Sequence, residues 1–289
     1  MRIASYFWGG QRQVGIVSPD GSSVTPLALP QQQAEKGVLA IVEILAEGGV
    51  MPGNGGATLP IGAVQLDAPI PRPRRNVFCV GRNYHAHAAE LQASVFKDND
   101  KKPDSWPIVF TKVPECVVGP FDDVRIPSEV STEIDYEAEL CVVIGKGGRN
   151  ITRADALDHV YGYTAVNDVT ARDVQIRHQQ WDLGKSFDTF CPMGPWIATA
   201  DEFDGAKSRV LCWVNGELRQ DGQVRDMIFD IPTLIETCSR GITLYPGDMI
   251  ATGTPSGVGM GMKPPRYLKA GDVVRVEIDG LGAIENKFV

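Results

Sequence analysis

Short strand-like segments separated by turns constrain the fold of this sequence more than any other feature. From about residue 107 onward, the segments that indicate strands are Ile108 to Phe110, Val124 to Ile126, Tyr136 to Ile144, Tyr161 to Val166, Val210 to Val214 and Val273 to Ile278. Asn215-Gly216 and Asp279-Gly280 tolerate the positive φ angles of tight turns, so they predict two β-hairpins. Because helical segments do not alternate strictly with these strands, the pattern predicts a mixed, β-rich sandwich or roll.

The helices that the sequence predicts are few and short. One covers about Gly37 to Ala46, and a second begins after Thr152, with Asp155 three residues further on. A third covers Ile231 to Arg240, where Asp230 can accept hydrogen bonds from the first backbone N–H groups.

Length and local composition divide the chain into two parts. At 289 residues the chain is near the size at which single hydrophobic cores stop growing. Residues 1 to 72 predict a small N-terminal domain that ends in the stiff, proline-rich linker Pro69 to Pro73. Residues 73 to 289 predict a larger catalytic domain, whose first strand covers Asn76 to Val80.

Charge and hydropathy exclude several classes of partner. The chain has 28 Lys and Arg against 36 Asp and Glu, a net charge of -8, so we expect no nucleic acid partner. The longest purely apolar runs, such as Leu140 to Ile144, are far short of the roughly 20 residues that cross a bilayer, so we expect no membrane partner. We identify no signal peptide. The six cysteines show no C-x-x-C spacing, so we expect buried, reduced thiols and a cytoplasmic location.

Acidic residues occupy every odd position of the stretch Glu133 to Leu140. On a strand, this period of two places all of them on one face. A solvated edge strand is one interpretation. The other follows from the apolar run Leu140 to Ile144, which indicates a strand buried on both faces. Carboxylates at i and i+2, roughly 7 Å apart, would repel each other there unless a divalent cation lay between them.

A third carboxylate, Asp168, follows the predicted Tyr161 to Val166 strand and can complete such a site. The alternative is an ordinary turn residue, because aspartate is common where strands end. A set of carboxylates without neighbouring Cys or His suits magnesium or manganese better than zinc. The sequence therefore predicts Mg²⁺ or Mn²⁺ as a cofactor.

His87 and Glu90 are a candidate catalytic pair. They are three residues apart, so on a helix they share a face, and the carboxylate can orient the imidazole and raise its basicity. Such a pair could activate water, and the alternative is a solvated His–Glu pair. His85 lies off that face, and we expect it to be structural or solvated. The polar stretch Gln92 to Pro107 suggests a mobile lid.

Two glycine-containing segments have residues that also occur in ligand-binding loops. Gly184-Lys185-Ser186 is not a phosphate-binding loop, because Gln179 occupies the position that requires an upstream glycine. The segment Thr252 to Gly257 can bring backbone amides close to an anionic ligand, and a bare turn is the alternative.

Five segments together resemble the fumarylacetoacetate hydrolase family, over roughly residues 76 to 289. These segments are Val80-Gly81-Arg82-Asn83-Tyr84, Asp135-Tyr136-Glu137-Ala138-Glu139-Leu140, Asn167-Asp168-Val169-Thr170-Ala171-Arg172-Asp173, Gly184-Lys185-Ser186-Phe187-Asp188 and Gly247-Asp248-Met249-Ile250-Ala251-Thr252-Gly253-Thr254-Pro255. The resemblance implies the β-sandwich roll of that family, with few short helices, and a homodimer. The site residues that it implies are Glu137, Glu139 and Asp168 as ligands of Mg²⁺ or Mn²⁺, His87, Glu90 and Lys185 as catalytic residues, and Tyr84, Arg172 and Thr254 as substrate contacts.

The resemblance also implies an enzyme that acts on a small 2-oxo acid. The first hypothesis is hydrolysis of a carbon–carbon bond in a 2,4-dioxo acid of the acylpyruvate or fumarylpyruvate type. Water activated by His87 and Glu90 would attack the distal carbonyl, and the metal and Lys185 would stabilise the enolate that leaves. The alternative is a decarboxylase or isomerase of a 2-oxo or 2-hydroxymuconate-type dicarboxylate in aromatic catabolism. A non-catalytic binding protein would be favoured if the metal-binding carboxylates or the His87–Glu90 pair were missing.

Overall fold

The structure is a computed structural model that describes residues 1–92, 106–177 and 180–289. Its strands form a mixed sheet of 12 strands, a smaller sheet of four strands and a two-stranded pair. The helices in these ranges are short. This architecture confirms the predicted mixed, β-rich fold class.

The strands lie in chain order as follows. They are β1 (Arg2–Trp8), β2 (Gln11–Val17), β3 (Ser23–Pro26), β4 (Leu59–Pro60), β5 (Gln65–Asp67), β6 (Val77–Gly81), β7 (Ile108–Lys112), β8 (Val117–Val118), β9 (Ile134–Asp135), β10 (Ala138–Ile144), β11 (Val160–Asn167), β12 (Thr170–Ala171), β13 (Cys191–Thr199), β14 (Arg209–Val214), β15 (Glu217–Gln223), β16 (Met249–Ala251), β17 (Val273–Ile278) and β18 (Gly282–Lys287). The α-helices are α1 (Gln31–Ala34), α2 (Leu39–Ala46), α3 (His85–Gln92), α4 (Arg172–Arg177), α5 (Asp182–Lys185) and α6 (Ile231–Ser239).

The centre of the large sheet consists of β13, β11, β10 and β16, in that order. Every residue of β10 and of β13 is buried, as expected for strands that are covered on both faces. The parallel pairing of β16 with β6 extends the sheet to β7. Consequently β6, β10 and β11 are neighbours or near neighbours, although long stretches of chain separate them.

The smaller sheet has the order β15-β14-β17-β18, and its β14 and β17 pack on β10 of the large sheet. Both predicted hairpins are confirmed: Asn215-Gly216 joins β14 to β15, and Asp279-Gly280 lies in the turn between β17 and β18. Asn215, Gly216 and Gly280 have the positive φ angles that the prediction required.

Two of the three predicted helices are confirmed, namely those that correspond to α2 and α6, and His87 and Glu90 lie on a further short helix, α3. The prediction of an α-helix after Thr152 is wrong. The Thr152 hydroxyl donates to Asp155 at 2.6 Å and closes a turn, and a short 3-10 helix, Ala156–His159, follows. The prediction of a strand at Val124 to Ile126 is also wrong. Val124 forms a single bridge with Phe288, and Ile126 adds one backbone hydrogen bond to Val289, so the pairing is too short to form a strand.

The N-terminal residues share the large sheet. Strand β1 pairs with β2 and β5 and also with β13, where Arg2 lies opposite Ala198. The domain boundary at residue 72 stays a prediction. All six cysteines are free and buried. No helix in the described ranges has the length and apolar character needed to cross a bilayer.

Candidate active site

Three buried carboxylates meet at the centre of the large sheet. Glu139 lies in β10, Glu137 precedes that strand, and Asp168 follows β11. Because β10 and β11 are antiparallel, with Ala138 opposite Asn167, the start of one strand and the end of the other lie side by side. One oxygen from each of the three carboxylates lies within 4.8 Å of the others. The residues predicted as metal ligands therefore form one cluster.

The acids between Glu133 and Leu140 do not all share one face, and that part of the prediction is wrong. The strand is interrupted between β9 and β10, and Asp135 accepts hydrogen bonds away from the cluster. Its donors are Arg172 Nε, at 2.9 Å, and the backbone N–H groups of Tyr136, Gly259 and Met260. Glu137 and Glu139 are only 5% and 1% exposed, which excludes the solvated edge strand.

Three buried cations surround the carboxylate cluster. Lys185 Nζ lies 2.6 Å from Glu137 Oε2 and 2.8 Å from Asp168 Oδ2. Lys112 Nζ lies 2.7 Å from Asp168 Oδ1, and Arg172 Nη1 lies 2.7 Å from Glu137 Oε1. Burial alone would raise the pKa of Glu137, but the charges of Lys185 and Arg172 outweigh it and hold that pKa well below its usual range. Glu137 is thus ionised, and its ion pairs and those of Asp168 fix both side chains in position.

Glu139 has no ion pair with any cation that the structure describes. One of its oxygens accepts a hydrogen bond from the backbone N–H of Gly253 at 2.8 Å. Burial, reinforced by the charges of Asp168 and Glu137, raises the pKa of Glu139 well above its usual range. A divalent cation beside Glu139 would remove the cost of its charge, and a set of carboxylate oxygens suits Mg²⁺ or Mn²⁺. The residues present therefore fit such an ion.

The predicted His87–Glu90 pair forms on helix α3. His87 Nδ1 lies 3.2 Å from Glu90 Oε2, and the backbone N–H of Gly257 donates to Glu90 Oε1 at 3.1 Å. His87 is 2% exposed, which excludes the solvated pair, whereas His85 is exposed as expected. Glu90 therefore fixes the orientation of a buried imidazole.

A small cavity of about 20 Å³, enough for a single water molecule, joins the carboxylate cluster to His87. Its wall consists of Val80, Gly81, Arg82, His87, Phe110, Glu137, Glu139, Arg172, Gln175, Trp181, Lys185 and Thr254. Tyr84 is buried but is not part of this wall, and its hydroxyl has no hydrogen-bond partner among the described residues. Most of the predicted lid, Gln92 to Pro107, lies outside the described residues.

Several residues at the candidate site were not predicted from the sequence. Lys112 lies two residues after Phe110 on β7, so both side chains point to the same side of the strand. This spacing from a buried phenylalanine was the one indication in the sequence that Lys112 is buried. Gln175 follows Arg172 by three residues on α4, and Arg172 Nη1 donates to Gln175 Oε1 at 3.2 Å. Arg82 and Trp181, which complete the wall, were not singled out as site residues.

Comparison with known proteins identifies relatives along most of the chain. Residues 76–289 match the fumarylacetoacetate (FAA) hydrolase C-terminal family. "Oxaloacetate tautomerase YisK" of Bacillus subtilis is 50% identical over 226 residues, which cover 78% of this chain and 73% of that protein. The mitochondrial "Oxaloacetate tautomerase fahd2" of Xenopus laevis is 49% identical over 229 residues, which cover 78% of this chain and 69% of that protein.

Solved structures of similar proteins cover the whole of this chain. A fumarylacetoacetate hydrolase from Exiguobacterium antarcticum has a TM-score of 0.86 at 40% identity, with 100% of this chain and 99% of that chain covered. A 2-hydroxyhepta-2,4-diene-1,7-dioate isomerase from Mycobacterium marinum has a TM-score of 0.78 at 31% identity, with 100% of this chain and 98% of that chain covered. A maleylpyruvate hydrolase from Sphingobium sp. SYK-6 has a TM-score of 0.76 at 32% identity, with 100% of this chain and 99% of that chain covered. The relatives thus include tautomerases, isomerases and hydrolases, and the chain belongs to the fumarylacetoacetate hydrolase family.

Proposed function

We propose that this chain is a divalent-metal-dependent enzyme that interconverts the keto and enol forms of a small 2-oxo dicarboxylate of the oxaloacetate class. The observation that carries the proposal is the position of His87, which lines the same small cavity as Glu137 and Glu139. A base therefore faces the place where a metal-binding 2-oxo acid would lie. Two relatives that are 50% and 49% identical are named oxaloacetate tautomerases, which favours proton transfer over bond cleavage.

Glu137, Glu139 and Asp168 are the residues that would hold the ion. When bound, a divalent ion supplies a Lewis acid that polarises the 2-oxo group of the substrate. Lys185 Nζ, at 2.6 Å and 2.8 Å from two of these carboxylates, provides a fixed positive charge at the same place. Fixed charge directed at developing negative charge is usually the largest contribution to catalysis. Lys185 is therefore assigned to stabilise the negative charge that develops on the substrate oxygen.

His87 is assigned to transfer the proton at C3 of the substrate. Its Nδ1 is held by the Glu90 carboxylate, so Nε2 is the nitrogen that accepts the proton. In enolisation the C3–H bond breaks and its proton goes to His87, the 2-oxo oxygen takes a proton from water, and His87 then returns its proton to water; ketonisation reverses these transfers. A positioned base of this kind contributes about 10² to 10⁴ in rate.

Hydrolysis of an acylpyruvate is the second candidate function, and one comparison favours it specifically. The maleylpyruvate hydrolase from Sphingobium has a TM-score of 0.76 to this chain. The same His87–Glu90 pair could activate water instead of removing a C3 proton. Hydrolysis would transfer a water oxygen to the released acid, whereas tautomerisation would transfer only protons.

The experiment that tests the proposal follows the decay of enol oxaloacetate by its ultraviolet absorbance. We expect protein with Mg²⁺ or Mn²⁺ to accelerate the interconversion and excess chelator to abolish the acceleration. His87→Ala should slow it by about 10² to 10⁴. His85→Ala is the matched control, because His85 is exposed on the same helix, and it should leave the rate unchanged.

A parallel assay in ¹⁸O-labelled water separates the alternatives. If oxaloacetate interconverts at the uncatalysed rate while an acylpyruvate is cleaved and its released acid carries label, the hydrolase hypothesis replaces the tautomerase proposal. Release of carbon dioxide from a 2-oxo diacid, without accelerated enolisation, would identify a decarboxylase. Absence of all three reactions with metal present would contradict a metal-dependent enzyme of 2-oxo acids.

A further inference from the structure

Gln220 lies on β15 of the smaller sheet, yet its side chain is fully buried and reaches the backbone of Ala138 in the large sheet. Its Oε1 accepts a hydrogen bond from the backbone N–H of Ala138 at 3.0 Å. Its Nε2 donates to the hydroxyl of Thr254 at 2.7 Å and to the backbone carbonyl of Pro255 at 2.8 Å. Three hydrogen bonds thus fix this carboxamide in one orientation.

Ala138 is the residue between Glu137 and Glu139, and it is the first residue of β10. The strand next to it, β16, pairs only with Cys141–Val143, so Ala138 has no strand partner on that side. Side chains take the place of the missing strand. Gln220 accepts from the Ala138 N–H, and the Thr254 hydroxyl donates to the Ala138 carbonyl at 2.9 Å.

Gln220 and Thr254 also contact each other, so with Ala138 they form a closed ring of hydrogen bonds. We call this pair the Gln220–Thr254 clamp. The hydroxyl hydrogen of Thr254 is directed at Ala138 and is not available to a substrate. Thr254 thus reaches the cavity wall with its hydroxyl already committed to the backbone between two carboxylates.

We infer that the Gln220–Thr254 clamp sets the positions of Glu137 and Glu139 and thereby determines the affinity of the site for a divalent ion. Gln220 is a positioning residue, since it touches neither the cavity nor the carboxylates themselves. The inference rests on the metal site of the proposed function but not on the reaction. Its physical basis is general: hydrogen bonds behind metal ligands orient them, and their loss typically weakens metal binding about 10- to 100-fold.

A purely structural role for Gln220 makes a different prediction. If Gln220 only joined the two sheets, its replacement would lower the melting temperature and leave the metal affinity of the folded protein unchanged. The decisive quantity is therefore the Kd for Mn²⁺ measured well below the melting temperature, without substrate. The electron paramagnetic resonance spectrum of bound Mn²⁺ gives a second readout, because it reports the symmetry of the ligands.

The first test compares Gln220→Met with wild type by calorimetric titration of Mn²⁺. We expect Kd to rise by about tenfold or more and the Mn²⁺ spectrum to change. Gln223→Met is the matched control. Gln223 lies on the same strand, is half-buried, and has no side-chain hydrogen bond in the described structure, so its Kd should equal that of wild type. An unchanged Kd and spectrum for folded Gln220→Met would overturn the inference.

The second test decides the matter if Gln220→Met does not fold. Thr254→Val removes the hydroxyl and should weaken Mn²⁺ binding, whereas Thr254→Ser retains the hydroxyl and should restore it. If the double variant Gln220→Met/Thr254→Val folds, its loss of Mn²⁺ binding free energy should be smaller than the sum of the losses in the two single variants. The reason is that the two side chains act as one unit. Equal Kd for the Val and Ser variants would overturn the inference. Failure of wild type to bind Mn²⁺ would instead contradict the metal site of the proposed function.

Discussion

The carboxylate of Glu139 is buried beside two other carboxylates, and this raises its pKa well above the usual range. Below the ordinary glutamate pKa, both folded and unfolded chains keep the proton and Glu139 has no effect on stability. From about pH 4.3 upward, the unfolded chain releases the proton while the folded chain retains it. The metal-free protein should therefore lose stability as the pH rises toward the raised pKa.

Glu139→Gln tests this expectation, because glutamine carries no charge at any pH. In excess chelator, the free energy of unfolding of wild type should fall with pH across that window, and that of the variant should fall less. Urea denaturation at a series of pH values measures both curves. Parallel curves would show that Glu139 does not retain a proton in the folded, metal-free protein.

Gly261 gives a way to move Glu90 without changing its charge. A Cβ added at Gly261 would lie 2.1 Å from Cδ and Oε1 of Glu90, so Gly261→Ala must displace that carboxylate from His87. We expect turnover to fall about tenfold, a fraction of what a positioned base contributes, while the Kd for Mn²⁺ stays unchanged. Gly62→Ala is the control, since nothing lies within 4 Å of its added Cβ. A Gly261→Ala enzyme of full activity would remove Glu90 from the mechanism.

Among individual residues, the sequence predicted those that are indicated by a pattern of neighbouring positions. The alternation of Glu137 and Glu139 and the spacing of His87 and Glu90 can be read within a few positions. Gln220 could not be predicted in this way, because its partner Ala138 is 82 residues away and the hydrogen bond exists only once two sheets have packed. Lys112 showed only an indirect signal, a lysine two residues from a buried aromatic side chain.

Helix α6 shows how far local signals determine an element. Asp230 precedes the helix, and its side chain accepts a hydrogen bond from the Thr233 backbone N–H at 3.0 Å, as the sequence predicted. Asp230→Ala should destabilise the protein by about 1 kcal/mol. Asp230→Ser is the matched control, because serine also caps helices well, and it should recover most of the loss in urea denaturation. If both variants lost the same free energy of unfolding, the loss would be assigned to the exposed ion pair of Asp230 with Arg153 instead.

The interruption between β9 and β10 could not be predicted from the alternating acids. The backbone N–H of Glu137 donates to the side chain of Asn167 at 3.0 Å, and its carbonyl accepts from the N–H of Asp168 at 2.8 Å. At Glu137 a side-chain oxygen thus takes the place of the backbone carbonyl that a regular ladder would use. This contact depends on a segment 30 residues further along the chain, so the local pattern gave a continuous strand.

For the whole molecule, the cluster of buried carboxylates predicts that metal binding stabilises the fold. A ligand that binds only the folded state stabilises it by about 2.7 kcal/mol at one hundred times its Kd. Thermal melts of wild type in chelator and with Mn²⁺ should show the corresponding rise in melting temperature. Glu139→Gln should show a much smaller rise, and equal rises would place the stabilising ion elsewhere. The homodimer and the small-molecule 2-oxo acid partner stay predictions.

The pairing of β1 with β13 has a consequence for how the chain is made. Arg2 and Ala198 lie opposite each other in the sheet, so the first strand meets this neighbour only after nearly two hundred residues have been added. At roughly 5 to 20 residues per second, the ribosome takes tens of seconds to reach that point. During this interval β1 can pair with β2 and β5, which are encoded early, but Arg2 and Ile3 have no partner on the edge that β13 later covers. Because of the order of translation, the N-terminal strands form before the central strands of the sheet have been synthesised. We therefore expect the nascent chain to be most prone to incorrect strand pairing during that interval.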